Sequence, residues 1–110
     1  MNEIVTHLSV PAGHPSLPGH FPGRPIVPGV VLLDLVFEAI RNSLAQPVQL
    51  LAIASAKFLQ AVAPESRVDV EIKLMPDESA GRVKARFLAR HANTPVLEGS
   101  FLLQIAERAP

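Results

Sequence analysis

The chain has 110 residues, with 48% hydrophobic, 18% charged, and ten basic side chains balanced by ten acidic ones. That apolar fraction excludes intrinsic disorder and fits one domain over residues 1–110, while a formal charge of zero removes the electrostatic case for nucleic acid or an anionic membrane. With no cysteine there is no disulfide framework, no thiolate nucleophile and no Cys-ligated metal.

Residues 1–10 carry Glu3 and neither a basic region nor the apolar run of a signal peptide, which leads to the expectation of a cytoplasmic protein. Within them Ile4, Thr6, Leu8 and Val10 alternate with other residues, and this predicts a short strand over 4–10. Residues 11–28 hold six of the 11 prolines and read as one long, stiffened loop, a kind of segment that in small domains is more often functional than decorative. Residues 28–45 predict a helix of about five turns with Pro28 near its start. Apolar residues go almost all the way round it, so it should be enclosed by other elements; its few polar residues, Asp34, Glu38 and Arg41, share one face. The longest apolar stretch, residues 26–37, is interrupted by Pro28, Gly29 and Asp34 and falls short of the ~20 residues of a membrane span.

The period then changes, and residues 50–62, 67–74, 82–90 and 96–105 are strand candidates separated by Pro, Gly and acidic turn residues. Val68, Val70, Ile72 and Leu74 alternate with charged residues, as do Val83, Ala85, Phe87 and Ala89, so each strand has one buried and one wet face. A hairpin across residues 75–81, with Glu71 opposite Lys84 and Asp69 opposite Arg86, would pair opposite charges on the wet face. The sum is an α+β pattern in which an antiparallel sheet wraps one long early helix. A sheet this small leaves its edges uncovered, which points to an obligate dimer.

Residues 19–34 read G-H-F-P-G-R-P-I-V-P-G-V-V-L-L-D. This run resembles the active-site segment of the bacterial 3-hydroxyacyl-(acyl carrier protein) dehydratases of hotdog fold, G-H-F-x-G-x-P-x-x-P-G-x-x-x-x followed by Glu or Asp, at every fixed position. Asp34 matches the dehydratase-isomerase branch rather than the Glu of the plain dehydratases. A weaker likeness continues at residues 57–64, K-F-L-Q-A-V-A-P, which is similar to the family's K-F-x-x-P-V-x-P-G-D, with Glu65 and Ser66 standing where Gly and Asp are usual. The L-P-H-R-Y-P-F-x-L-x-D-R run of the longer dehydratases is missing, so the resemblance is to a compact variant, closest in build to short dehydratases of polyketide-like pathways such as aryl polyene synthesis.

Dehydrating a 3-hydroxyacyl thioester needs a base at C2, an acid for the C3 hydroxyl and a stabiliser for the carbonyl oxygen. His20 lies in the rigid loop before the helix, and imidazole suits proton uptake at neutral pH. Asp34 lies in an apolar stretch of helix, where desolvation would favour the protonated form that can donate. Pro28 and Gly29 open the helix with no Ser, Thr, Asp or Asn before them, so the N–H groups of Gly29 and Val30 lack an evident cap and are available to a ligand. The resemblance implies His20 as base, Asp34 as acid and the Gly29 N–H as oxyanion donor, with acid and base contributed by different subunits of a dimer that can assemble further. It also implies an acyl tunnel, for which Val30, Leu33 and Phe58 are candidates, and an acyl carrier protein as partner.

Arg24, in the active-site loop, could join Arg82, Lys84, Arg86 and Arg90 in a basic patch for that carrier protein; a solvated strand face with cross-strand ion pairs explains the last four as well. Glu38, where the family commonly has Gln, either tunes Asp34 or marks a solvated stripe, and the second is favoured. His7, His14 and His91 have no partner pattern and read as ordinary strand or loop residues; no metal, nucleotide or flavin is called for. Two rivals share the scaffold, an isomerising dehydratase and a thioesterase. A third is a non-catalytic hotdog subunit that binds acyl chains or completes a heterodimer.

Overall fold

The computed structural model describes residues 2–14 and 26–106. In chain order it contains β1 (Asn2–Leu8), α1 (Gly29–Ser43), β2 (Val48–Phe58), β3 (Val68–Pro76), β4 (Arg82–His91) and β5 (Thr94–Ile105). The strands form one five-stranded antiparallel sheet in the order β1-β3-β4-β5-β2. Because β1 and β2 occupy opposite edges, the helix between them must cross one face of the sheet. This is the expected hotdog arrangement.

Pro28 is the N-cap of α1, with φ −58 and ψ 140, a position where its missing N–H costs nothing. The helix stops at Leu44, whose backbone is extended, and carries Arg41 in its last turn, where a cation complements the helix dipole. Leu32, Val36 and Ile40, spaced i, i+4, i+8, are its buried face. They pack on the inner face of the sheet, built from Val68, Val70 and Ile72 of β3, Ala85 and Phe87 of β4, and Leu97, Phe101 and Leu103 of β5. Phe101 links the layers, its ring 4.7 Å from Phe87 and 6.2 Å, edge-on, from Phe37 of the helix. Each fully buried side chain of this size contributes roughly 1.5–3 kcal/mol relative to exposure.

Two expectations need correction. The helix is not enclosed: Asp34, Glu38 and Arg41 are exposed and Val30 is 64% exposed, because one sheet covers only one side of it. The β3–β4 register is also different, with Asp69 opposite Arg90, Glu71 opposite Leu88 and Lys73 opposite Arg86. The turn is tighter and nearer Gly81, whose φ of 76 suits glycine, and closes through Arg82 N–H to Ser79 O at 3.0 Å and Asp77 N–H to Arg82 O at 2.9 Å. A slip of two positions on each strand leaves the same residues facing inward, so hydrophobic alternation could not tell the two registers apart. Neither expected charge pair forms: Glu71 meets Arg90 at 3.4 Å, Asp69 pairs with Arg67 at 3.0 Å, and Lys73 lies between the like charge of Arg86 and Glu3 of β1.

The strand expected over 50–62 ends at Phe58. As the edge of the sheet, β2 bends at register shifts between Leu50 and Ala52 and between Ile53 and Ser55. From Leu51 to its end the strand is exposed throughout, with Ile53 at 50% and Phe58 at 52%.

Candidate active site

The chain leaves β2 by crossing toward the head of the helix. Leu59 N–H donates to Val96 O at 2.9 Å, and Val27 N–H donates to Val62 O at 2.8 Å. The second bond lays Pro28 and Gly29 alongside residues 58–62, and the two stretches wall a cleft of about 410 Å³ lined by residues 26–29, Leu32 and residues 58–62.

At the floor of this cleft the first helical turn closes through Val31 N–H to Pro28 O at 3.0 Å. The N–H groups of Gly29 and Val30 have no hydrogen-bond acceptor among the described residues, and Pro28 supplies no side-chain cap. Two free donors at the positive end of a helix form a ready anion site. Glycine is required at position 29 by space: a Cβ there would overlap the Phe58 ring. Phe58 therefore lies over the helix terminus with its other face in solvent.

Of the tunnel candidates, Phe58 lies against Gly29 within one chain, a contact the sequence did not signal. Of the other tunnel candidates, Val30 is exposed and Leu33 is half-buried against the core; neither lines this cleft, which Leu32 enters instead. Asp34 lies about 7.5 Å along the helix axis from Gly29 and about 200° around from Leu32 and Val36. It is exposed, and it is not among the residues lining the cleft. The apolar surroundings expected to desolvate Asp34 are not supplied by the described residues of its own chain, since the buried stripe is on the opposite side of the helix. His20 and Arg24 lie outside the described residues.

Glu38 is exposed and makes no ion pair with Arg41, whose guanidinium lies 5.8 Å from the Phe37 ring centre, so the solvated-stripe reading fits. Arg82, Lys84 and Arg86 are exposed on the outer face of β4. His91 bonds Arg67 O through Nδ1 at 2.9 Å, a local structural contact. Among the described residues no group of three side chains could hold a metal ion, and no helix is long and apolar enough to cross a membrane.

That residues 26–28 and 59–62, from the two motif segments, meet across one cleft was not foreseen, because what assembles them is a backbone bond between positions 35 residues apart in sequence, Val27 and Val62. Glu65 was noticed only as a departure from a pattern. Its φ is 67, its N–H donates to Val10 O at 2.8 Å, and its Oε1 accepts the Ala12 N–H at 2.8 Å.

Comparison with known proteins gives this cleft a context. The chain is 29% identical over 112 residues to the bifunctional enzyme LpxC/FabZ of Porphyromonas gingivalis, covering 94% of this chain and 24% of that one. It is 27% identical over 115 residues to the 3-hydroxyacyl-[acyl-carrier-protein] dehydratase FabZ of Myxococcus xanthus, covering 96% and 74%. It thus spans about a quarter of the first relative's length and about three quarters of the second's.

Among solved structures it is similar to the dehydratase heterocomplex ApeI:P of Xenorhabdus doucetiae, with a TM-score of 0.73 and 24% identity over 93% of this chain and 87% of that one. It is also similar to the fluoroacetyl-CoA thioesterase FlK, with a TM-score of 0.77 and 15% identity over 96% and 85%. At these identities the two structures speak for the fold alone, and the fold accommodates both chemistries. The family model described as ApeI-like, ApeI dehydratase, matches residues 1–100. With that match over most of its length, the chain belongs to the ApeI-like dehydratase family.

Proposed function

We propose that this chain, acting in the cytoplasm as a single domain over residues 1–110, dehydrates a 3-hydroxyacyl thioester carried on an acyl carrier protein to the trans-2-enoyl thioester, in fatty acid or aryl polyene-like biosynthesis. The observation that carries the reading is the pair of free N–H groups at Gly29 and Val30, beside a largely apolar cleft, in a member of a dehydratase family. The thioester oxygen accepts the Gly29 N–H, which stabilises the negative charge that develops as C2 loses its proton. His20 takes that proton. Asp34 gives a proton to the C3 hydroxyl as the C–O bond breaks, and the hydroxyl leaves as water with a C2–C3 double bond formed. Arg24, in the sequence motif between His20 and Gly29, contacts the acidic carrier protein.

The acid comes from a second subunit. Asp34 faces away from its own cleft, and β2 presents an exposed edge with Leu51, Ile53 and Phe58 outward. Pairing of two β2 edges buries these side chains and brings Asp34 of the partner subunit toward the cleft at Gly29. The solved heterocomplex of Xenorhabdus doucetiae favours a second reading of the same edge, in which the other subunit is a different chain of the same fold.

The test is conversion of a short 3-hydroxyacyl carrier-protein thioester by the purified chain, followed by mass spectrometry for loss of one water, beside His20→Ala and Asp34→Asn. The expected result is turnover that falls at least about a hundredfold in both variants. Release of free thiol would identify a thioesterase instead. Binding without turnover, restored by a second hotdog subunit, would establish the heterocomplex.

A further inference from the structure

The segment that carries His20 is flanked by described residues on both sides, and both flanks are tied to one short stretch. On the near side Val10 O accepts the Glu65 N–H and Ala12 N–H donates to Glu65 Oε1, each at 2.8 Å. On the far side Val27 N–H donates to Val62 O at 2.8 Å. Residues 62–65 are therefore a common anchor for residues 10–12 and residue 27, and they directly continue the wall that residues 58–62 form in the cleft at Gly29.

Position 65 has a backbone φ of 67, in the left-handed region that favours glycine, and glycine is what the dehydratase pattern has there. A glutamate at this position carries backbone strain that glycine would not, a cost its side-chain contact can offset. The contact observed is a carboxylate accepting a backbone N–H across 53 residues of sequence, at a distance expected for a charge-assisted hydrogen bond. Neither Lys nor Arg competes for it, since Glu65 is in no ion pair among the described residues.

We infer that Glu65 is a positioning residue, whose carboxylate clasps Ala12 and so ties the described chain on the N-terminal side of His20 to the stretch at residues 62–65 that continues the cleft wall. The inference rests on the proposed role of His20 but is measured separately from it. In the folded protein the Ala12 N–H is protected from exchange by Glu65. Glu65→Gly keeps the left-handed backbone, relieves its strain and removes the clasp; Glu65→Gln keeps a carbonyl oxygen that can accept the same N–H.

The experiment combines amide hydrogen exchange of the chain in solution with steady-state kinetics on a 3-hydroxyacyl carrier-protein thioester. Expected for Glu65→Gly are an unchanged or raised Tm, at least tenfold faster exchange at Ala12, and a kcat about tenfold lower with KM within twofold. Glu65→Gln is expected to restore exchange and kcat to within about threefold of the parent. A merely structural role would instead lower Tm and leave kcat unchanged. Unchanged Ala12 exchange in Glu65→Gly, or unchanged kcat beside lost protection, overturns the inference. A parent protein as inactive as His20→Ala, with the clasp intact by exchange, overturns the function reading and the positioning role together.

Discussion

The contact between Gly29 and Phe58 can be tested without any substrate. An ideal Cβ at position 29 lies 2.7 Å from Phe58 Cδ1 and Cζ, about 1 Å inside ordinary carbon–carbon contact. Gly29→Ala must therefore displace the ring or shift the helix start, an overpacking cost of roughly 1–3 kcal/mol, against a gain in helix propensity of at most about 1 kcal/mol. The expected net loss is about 1 kcal/mol, or about 4 °C in Tm for a domain of this size. Phe58→Ala alone removes a ring that is 52% exposed, so it costs about half of what a fully buried Phe would, roughly 1–2 kcal/mol. In the double variant the clash is gone. The two changes should then couple favourably by at least about 1 kcal/mol, measured by urea unfolding at one fixed protein concentration. Additivity to within about 0.5 kcal/mol would refute the placement of Phe58 over the helix terminus.

Ile40→Ala should cost about 2–5 kcal/mol because Ile40 is fully buried between helix and sheet, whereas Val5→Ala, on an exposed face of β1, should stay within about 0.5 kcal/mol; thermal unfolding separates them. Arg86→Glu should stabilise by roughly 0.2–1 kcal/mol, less at high salt, since Arg86 sits directly opposite Lys73 on one side and the uncharged Ser100 on the other. That gain should vanish in a Lys73→Ala background; a loss of stability instead would show a different register, with Asp69 opposite position 86. Ile53→Lys, at the middle of the β2 edge, should halve the mass in sedimentation and abolish turnover, and unchanged mass would place the subunit contact elsewhere.

Much of this molecule is readable along the chain because each feature has a local cause. Alternation in β3 and β4 gives their inward faces, and Pro28 followed by an apolar run gives the start of α1. The uncapped N–H groups of Gly29 and Val30 follow from residue types alone, since Pro28 carries no acceptor side chain. What was not legible depends on distance in sequence. The cleft is closed by the bond from Val27 to Val62, and no periodicity encodes it. The β3–β4 register hid behind a shift that preserves every inward face, so only the turn geometry at Gly81 decides it. Asp34 was placed in an apolar setting on composition, yet the apolar residues that are buried, Leu32, Val36 and Ile40, occupy the other side of the helix. In the proposed dimer its surroundings would come from the second subunit, which the sequence of one chain signals only through surplus apolar surface at Val30 and along β2.

The central claim is that base and acid act from different subunits, and mixing two inactive variants addresses it most directly. His20→Ala and Asp34→Asn are each assayed alone for dehydration of a 3-hydroxyacyl carrier-protein thioester, then combined under conditions that exchange subunits. Random pairing makes half of the dimers mixed, each with one of two sites intact, so the account predicts recovery of about a quarter of the parent activity. A mixture no more active than its separate components, with subunit exchange verified by native mass spectrometry, would contradict it.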